Sequence, residues 1–198
     1  MAKQKQRQIS LALQGGGAHG AYTWGVLDRL IEEDDLEIKA ISATSAGAMN
    51  AVAFSAGMAE NGVQGAKDTL EALWQGISKS SRNVTPYGAL SPIVFAYASA
   101  MSSLASPYDL NPFNINPLRD VVEQVIDFSK VDESGIQLFL SATNVESGHV
   151  TVFSDGDISL DAVLASACLP QTFKAVEIDG QAYWDGGFMG NPSLFPLI

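Results

Sequence analysis

Strand-like stretches that alternate with helical ones predict an α/β fold, layered, with a mainly parallel central sheet flanked by helices. Three passages carry that prediction. Ile9 to Gln14 is an apolar run ending in glycines, and helical periodicity follows from Ala21 to Ile31. Glu37 to Thr44 alternates, then gives way around Ser45 to a helical run through Ala48, Met49, Ala51, Val52 and Phe54. Ile136 to Thr143 is a third strand, preceded by a helix that opens at Asn116-Pro117.

Within the first unit, Trp24, Val26, Leu27, Leu30 and Ile31 recur at helical spacing, with Asp28, Arg29, Glu32 and Glu33 between them. The strand reaches this helix through Gly15-Gly16-Gly17-Ala18-His19-Gly20. After the second helix, Gly57 to Gly65 reads as a loop around Asn61-Gly62. Ala66 to Ser78 then reads as an amphipathic helix, with Leu70, Leu73, Trp74 and Ile77 towards the core. Residues 87–116 differ in kind, carrying Pro92, Pro107 and Pro112 and the apolar patch Ile93-Val94-Phe95-Ala96-Tyr97. A lid or lipid-facing insertion competes there with a pair of short packed helices. Asn116 as cap and Pro117 at the first helical position start the next helix, buried through Leu118, Val121, Val122, Val125 and Ile126. Val150 to Phe153 pairs with the end of the third strand as a hairpin, leaving His149 solvated in the turn. Ser159 caps a helix through Leu160, Val163 and Leu164. A last hairpin flanks Asp179-Gly180, and its second arm runs into Asp185-Gly186-Gly187.

With 198 residues, 46% hydrophobic and 17% charged, the chain reads as one globular domain over 1–198, opened by a flexible basic tail over 1–8. Eleven basic against 22 acidic residues leave a formal charge of −11. No nucleic acid partner is expected, since that would want a basic face, and simple electrostatic docking on anionic lipid is disfavoured too. The one cysteine, Cys168, rules out an internal disulfide and reads as a packing residue in a reducing compartment. No stretch approaches the roughly 20 apolar residues of a membrane span. The apolar run after the basic N-terminus is too short for a signal peptide. A cytoplasmic protein is expected, with peripheral membrane contact or a receptor-read secretion signal compatible. No zinc-type spacing and no calcium loop occur, so neither metal nor cofactor is expected.

Chemistry concentrates at two turns. Ala43-Thr44-Ser45-Ala46-Gly47 matches the nucleophile elbow G-x-S-x-G, with alanine in the first place. A serine between strand end and helix start is lifted out of the sheet, beside the free N–H groups of the helix N-terminus. The glycine loop has two readings. Gly15-x-Gly17-x-x-Gly20 fits a dinucleotide fingerprint literally, with Asp35 the right distance on. The ribose-binding acid should end the second strand, however, and Asp34 and Asp35 precede it. That reading fails on placement. The other reading is an oxyanion hole, because glycines leave N–H groups unshielded towards a developing alkoxide.

Three motifs thus stand in order: Gly15-Gly16-Gly17-Ala18-His19-Gly20, Thr44-Ser45-Ala46-Gly47 and Asp185-Gly186-Gly187. The set resembles the patatin-like phospholipase family over nearly the entire chain. Gly25-Val26-Leu27, Ser166-Ala167-x-x-Pro170 and Asn191-Pro192 agree with it. The resemblance implies a Ser-Asp dyad, with Ser45 as nucleophile, Asp185 as base, and Gly15, Gly16, Gly17 and Ala18 forming the oxyanion hole. An α/β-hydrolase would place a histidine after its acid, and none follows Asp185. His19, where the family often has Arg or Lys, reads as a loop residue tied to backbone in preference to a proton shuttle. The departures are Ala43, expected to widen the elbow slightly, and the ending at Ile198, where the family continues with a further strand and helices. The chain is therefore expected to be C-terminally truncated. The implied activity is lipid acyl hydrolysis of a phospholipid or other fatty-acyl ester. An acyltransferase with the same site and a non-catalytic lipid- or partner-binding module are the alternatives.

Overall fold

The alternating units close into one six-stranded sheet. In the computed structural model, which describes residues 6–84 and 106–198, β1 (Arg7–Leu13), β2 (Leu36–Thr44) and β3 (Gln137–Asn144) run parallel. β4 (Val150–Ser154), β5 (Val176–Ile178) and β6 (Gln181–Asp185) join antiparallel. The sheet is therefore mixed: parallel where helical crossovers connect strands, antiparallel where the two expected hairpins reverse the chain. The strand order is β1-β2-β3-β6-β5, with β4 also on β3.

Register places the ends that matter. Residues 139–141 of β3 pair with both β2 and β4, while Ala142 and Thr143 pair with both β4 and β6. β2 and β6 therefore share one edge of β3, end to end. Thr44 pairs with Ser141, and Asp185 pairs with the next residue, Ala142.

The helices are α1 (Gly20–Leu30), α2 (Ala46–Val84), α3 (Pro107–Leu110), α4 (Pro117–Val125) and α5 (Leu160–Ser166). The first turns of α2 are buried all round, through Ala46, Ala48, Met49, Ala51, Val52, Ala53 and Phe54, as befits a central helix. The loop expected over 57–65 is a two-residue break. Only Asn61 (φ −149°, ψ 33°) and Gly62 (φ 59°, ψ −142°) leave helical geometry. A side chain on Gly57 would collide with the Gly65 carbonyl, so these glycines serve close packing of the two arms of α2. Asn116 caps α4 by accepting from Leu118 N at 3.1 Å, and Ser159 caps α5 through Ala162 N at 3.2 Å, as their positions predict.

Leu13, Ile41, Ala43, Leu138, Leu140 and Ala142 put one face of the sheet into the core with Leu27 of α1 and Val52 and Phe54 of α2. The opposite face carries hydroxyls at the strand ends, and residues 190–193 cross it. Thr44 Oγ1 donates to the Gly190 carbonyl at 2.7 Å, the Ser42 hydroxyl to the Ser193 carbonyl, and Ser141 Oγ to Ser193 Oγ at 3.1 Å. Each buried hydroxyl thereby finds a partner.

β1 begins at Arg7, two residues before its apolar run, because Arg7 N donates to the Asp35 carbonyl and its guanidinium pairs with the Asp35 carboxylate, both at 2.7 Å. The expected basic tail is shorter accordingly, and its first five residues lie outside the described residues. The part of the expected lid up to residue 105 also lies outside them. From Ser106 on, that segment forms α3 and is tied down by Lys174 Nζ donating to the Pro112 carbonyl at 2.8 Å, with Phe113 and Ile115 exposed.

Candidate active site

Ser45 sits between β2 and α2 with φ 55°, the left-handed region that non-glycine residues rarely take. The surroundings hold it there. Its N–H donates to Ser166 Oγ at 2.9 Å, Ser166 in turn donates to the Ser141 carbonyl at 2.7 Å, and its own carbonyl accepts from Met49 N at 3.1 Å. Such a conformation costs about 1–3 kcal/mol and persists where its neighbours over-determine it. The tight approach of strand and helix falls at Gly47, where any side chain would collide with the Leu13 carbonyl. Ala43 is fully buried between Leu13 and Leu140, its register partners on β1 and β3, so its methyl group serves as core.

Asp185 ends β6, with 5% of its surface exposed. Its N–H donates to the Cys168 carbonyl at 2.8 Å and its carbonyl accepts from Thr143 Oγ1 at 2.9 Å. One carboxylate oxygen accepts from Gly187 N at 2.7 Å, closing the turn that Gly186 and Gly187 begin. Burial pushes the carboxyl above its ordinary range, and the Gly187 N–H and Ser45 side chain, as hydrogen-bond partners of the charged form, pull the other way without cancelling it. The shared edge of β3 is what brings Asp185 to Ser45, 140 positions apart in the chain.

The glycine loop lies against the serine: a side chain on Gly15 would sit 2.8 Å from Ser45 Cβ. Gly15 itself is an anchor, for its N–H donates to Asn191 Oδ1 at 2.6 Å. The N–H groups of Gly16, Gly17 and Ala18 have no acceptor among the described residues. Of the four loop residues expected to line an oxyanion hole, Gly15 is therefore the one whose donor is already engaged. At the loop's far end, the Gly20 carbonyl accepts from Asn50 Nδ2 at 2.9 Å, and Asn50 Oδ1 accepts from Trp74 Nε1 at 2.8 Å. His19 is exposed with Nδ1 3.0 Å from the Gly16 carbonyl, the backbone-tied arrangement expected of it. His149 is exposed in the β3–β4 turn.

Asn191 and Asn50 had no assigned role in the sequence. Asn191 was visible only as an Asn-Pro pair, and Asn50 only as a polar residue within an apolar helical run. Cys168 is buried, with Sγ 3.1 Å from the Lys174 carbonyl, and burial lifts its thiol to about 11. It is no nucleophile at neutral pH. Among the described residues no group of three or more His, Cys, Asp or Glu side chains is placed to hold a metal ion.

A mixed sheet flanked by helices, with a glycine loop after its first strand and a left-handed serine between its second strand and the next helix, defines an α/β protein with a sharp strand-to-helix turn at Ser45. A family model described as "Patatin-like phospholipase" matches residues 11–198. The chain belongs to that family. Among solved structures it resembles the crystal structure of VipD from Legionella pneumophila, with TM-score 0.53 and 15% identity, over 91% of this chain and 46% of that one. The chain thus spans less than half the length of that protein, and the likeness is one of fold. No curated protein gives a significant sequence match.

Proposed function

We propose that the chain is a serine acyl hydrolase acting on phospholipids or other fatty-acyl esters. Asp185 accepts the Ser45 proton as Ser45 Oγ attacks the ester carbonyl, and the N–H groups of Gly16, Gly17 and Ala18 hold the oxyanion. The alkoxide leaves with the proton returned by Asp185. Water then attacks the acyl-enzyme by the same route and releases the fatty acid. The observation that carries this reading is the end-to-end placement of β2 and β6 on β3, which sets a buried carboxyl beside a serine held in the left-handed region. Membership of the patatin-like phospholipase family supports lipid as the substrate. Phe188 and Met189, half exposed just past Asp185, are apolar groups a lipid surface would meet at the site. Among the described residues no helix is long and apolar enough to cross a membrane.

Labelling with a fluorophosphonate, followed by peptide mass spectrometry, tests the assignment. The adduct is expected on Ser45 and on no other serine, and Ser45→Ala is expected to remove both labelling and hydrolysis of p-nitrophenyl butyrate. An unlabelled Ser45 in folded protein would leave a lipid-binding module without catalysis.

A further inference from the structure

The last residue of α5, Ser166, is fully buried and uses both sides of its hydroxyl. A serine hydroxyl has one proton to donate. Ser166 Oγ gives it to the Ser141 carbonyl at 2.7 Å, so towards the Ser45 N–H, at 2.9 Å, it can only accept. Two residues further on, the Cys168 carbonyl accepts the Asp185 N–H at 2.8 Å. The turn between them is itself bonded, with Ala167 N donating to the Leu164 carbonyl and Cys168 N to the Ala165 carbonyl, both at 3.2 Å. The end of α5 therefore grips the backbone of Ser45 through one residue and that of Asp185 through another. The helix behind that grip is fixed as well, because Val163 and Ala165 are fully buried and Ser159 caps its first turn.

We propose that Ser166 is a positioning residue of the Ser45–Asp185 pair: its hydroxyl fixes the Ser45 peptide plane, and with it the direction in which Ser45 Oγ leaves the backbone. The proposal rests on the hydrolase reading and adds to it what aims the nucleophile. At φ 55° Ser45 occupies a conformation that few non-glycine residues take, so its peptide needs an outside hold. Without the acceptor on Ser166, the N–H loses its partner. Rotation of that peptide then carries Oγ away from Asp185 and from the Gly16–Ala18 donors. A misplacement of about 1 Å costs on the order of 100-fold in rate. Because the Ser45 N–H is committed to Ser166, the oxyanion is left to the glycine loop.

The test sets Ser166→Ala against Ser159→Ala, which uncaps the other end of the same helix and is expected to lower Tm by about 2–4 °C. With p-nitrophenyl butyrate, Ser166→Ala is expected to lower kcat about 10- to 100-fold while KM stays within about twofold of the parent. Fluorophosphonate labelling of Ser45 should slow by a similar factor. Ser159→Ala is expected to keep the parental kcat. Ser166→Cys retains a weaker donor and acceptor and should fall between parent and alanine; if Ser166→Ala does not fold, Ser166→Cys is judged in its place. Parental kcat in the Ser166 variant, a change confined to KM, or an equal loss of kcat in Ser159→Ala overturns the proposal. If the parent neither turns over ester nor labels at Ser45, the hydrolase reading fails on its own, and exchange of the Ser45 amide proton decides the rest. Loss of the Ser166 hydroxyl should speed that exchange about tenfold or more relative to Ser159→Ala, and equal rates would show that Ser166 does not hold the turn.

Discussion

In the proposed dyad Asp185 is the base, a role for which an ordinary surface carboxylate is too weak, and burial is what sets this one apart. Its carboxyl holds a proton more tightly in the folded chain than the ordinary value of 3.8 allows, because burial outweighs the Gly187 and Ser45 hydrogen bonds. Two consequences have opposite signs. In the proposed mechanism turnover needs the carboxylate, so kcat/KM should rise with pH along an acid limb lying above that of an exposed aspartate. Stability runs the other way: between 3.8 and the raised folded value the native state binds more protons than the unfolded one, so stability falls as pH rises through that window and the loss persists at neutral pH. Asp185→Asn removes the charge while keeping an oxygen for the Gly187 N–H. It is expected to lower turnover about 10³- to 10⁴-fold, while its Tm at pH 7 exceeds that of the parent by a margin that shrinks on acidification. Calorimetry across pH checks this, and a lower Tm at pH 7 would count against burial as the cause. The residue was legible in the sequence, as an aspartate ending a strand before two glycines. Its burial was not, because the covering groups come from Cys168, Thr143 and the end of β2.

The glycine loop is held at both ends by amides from elsewhere, and its donors are only as well placed as those anchors. Asn191 reaches it across 176 positions, and Asn50 reaches it from α2. Asn191→Ala leaves the Gly15 N–H without its acceptor, which costs about 1–3 kcal/mol, or roughly 2–4 °C of Tm per kcal/mol at this size. Because Asn191 Oδ1 is engaged by the Gly15 N–H, a residue acting through the loop should leave its kinetic signature in kcat more than KM, a loss of about tenfold or more but below the 100- to 1000-fold of deleting an oxyanion donor. A change in KM alone would show that Asn191 serves binding. Asn50→Leu strands both Trp74 Nε1 and the Gly20 carbonyl and is expected to destabilise by about 2–4 kcal/mol, read from urea unfolding. Elements fixed by near neighbours were readable beforehand: the caps at Asn116 and Ser159, the Asp179-Gly180 hairpin, the strand-to-helix turn at Ser45. The 57–65 stretch was misread because Gly and Asn signal turns in a sequence, whereas here Gly57 and Gly65 let two helical arms touch. Sequence cannot separate those two uses of a small residue.

How β2 and β6 come to share an edge of β3 was out of reach too, since register between strands 140 positions apart leaves no local trace. Alternation and hairpin signals set which strands exist, and the mixed sheet follows only once β3 is known to lend one edge to two partners. The segment 190–193 then locks that arrangement, taking hydroxyls from Ser42, Thr44 and Ser141 while Asn191 holds Gly15. Charge, by contrast, belongs to the chain as a whole and is readable at once. A formal charge of −11 surrounds a site whose proposed substrate sits in a lipid surface. Such a field repels an anionic surface at long range, and salt weakens it: raising ionic strength from about 0.01 M to about 0.1 M shortens the screening length from about 30 Å to about 10 Å. Hydrolysis of vesicles rich in anionic phospholipid should therefore speed up several-fold over that range, while zwitterionic vesicles and soluble p-nitrophenyl butyrate respond little. The comparison is one of initial rates at fixed lipid concentration. A fall in rate on anionic vesicles as salt is added would mean that a local basic patch, not the net charge, governs how this protein meets its lipid.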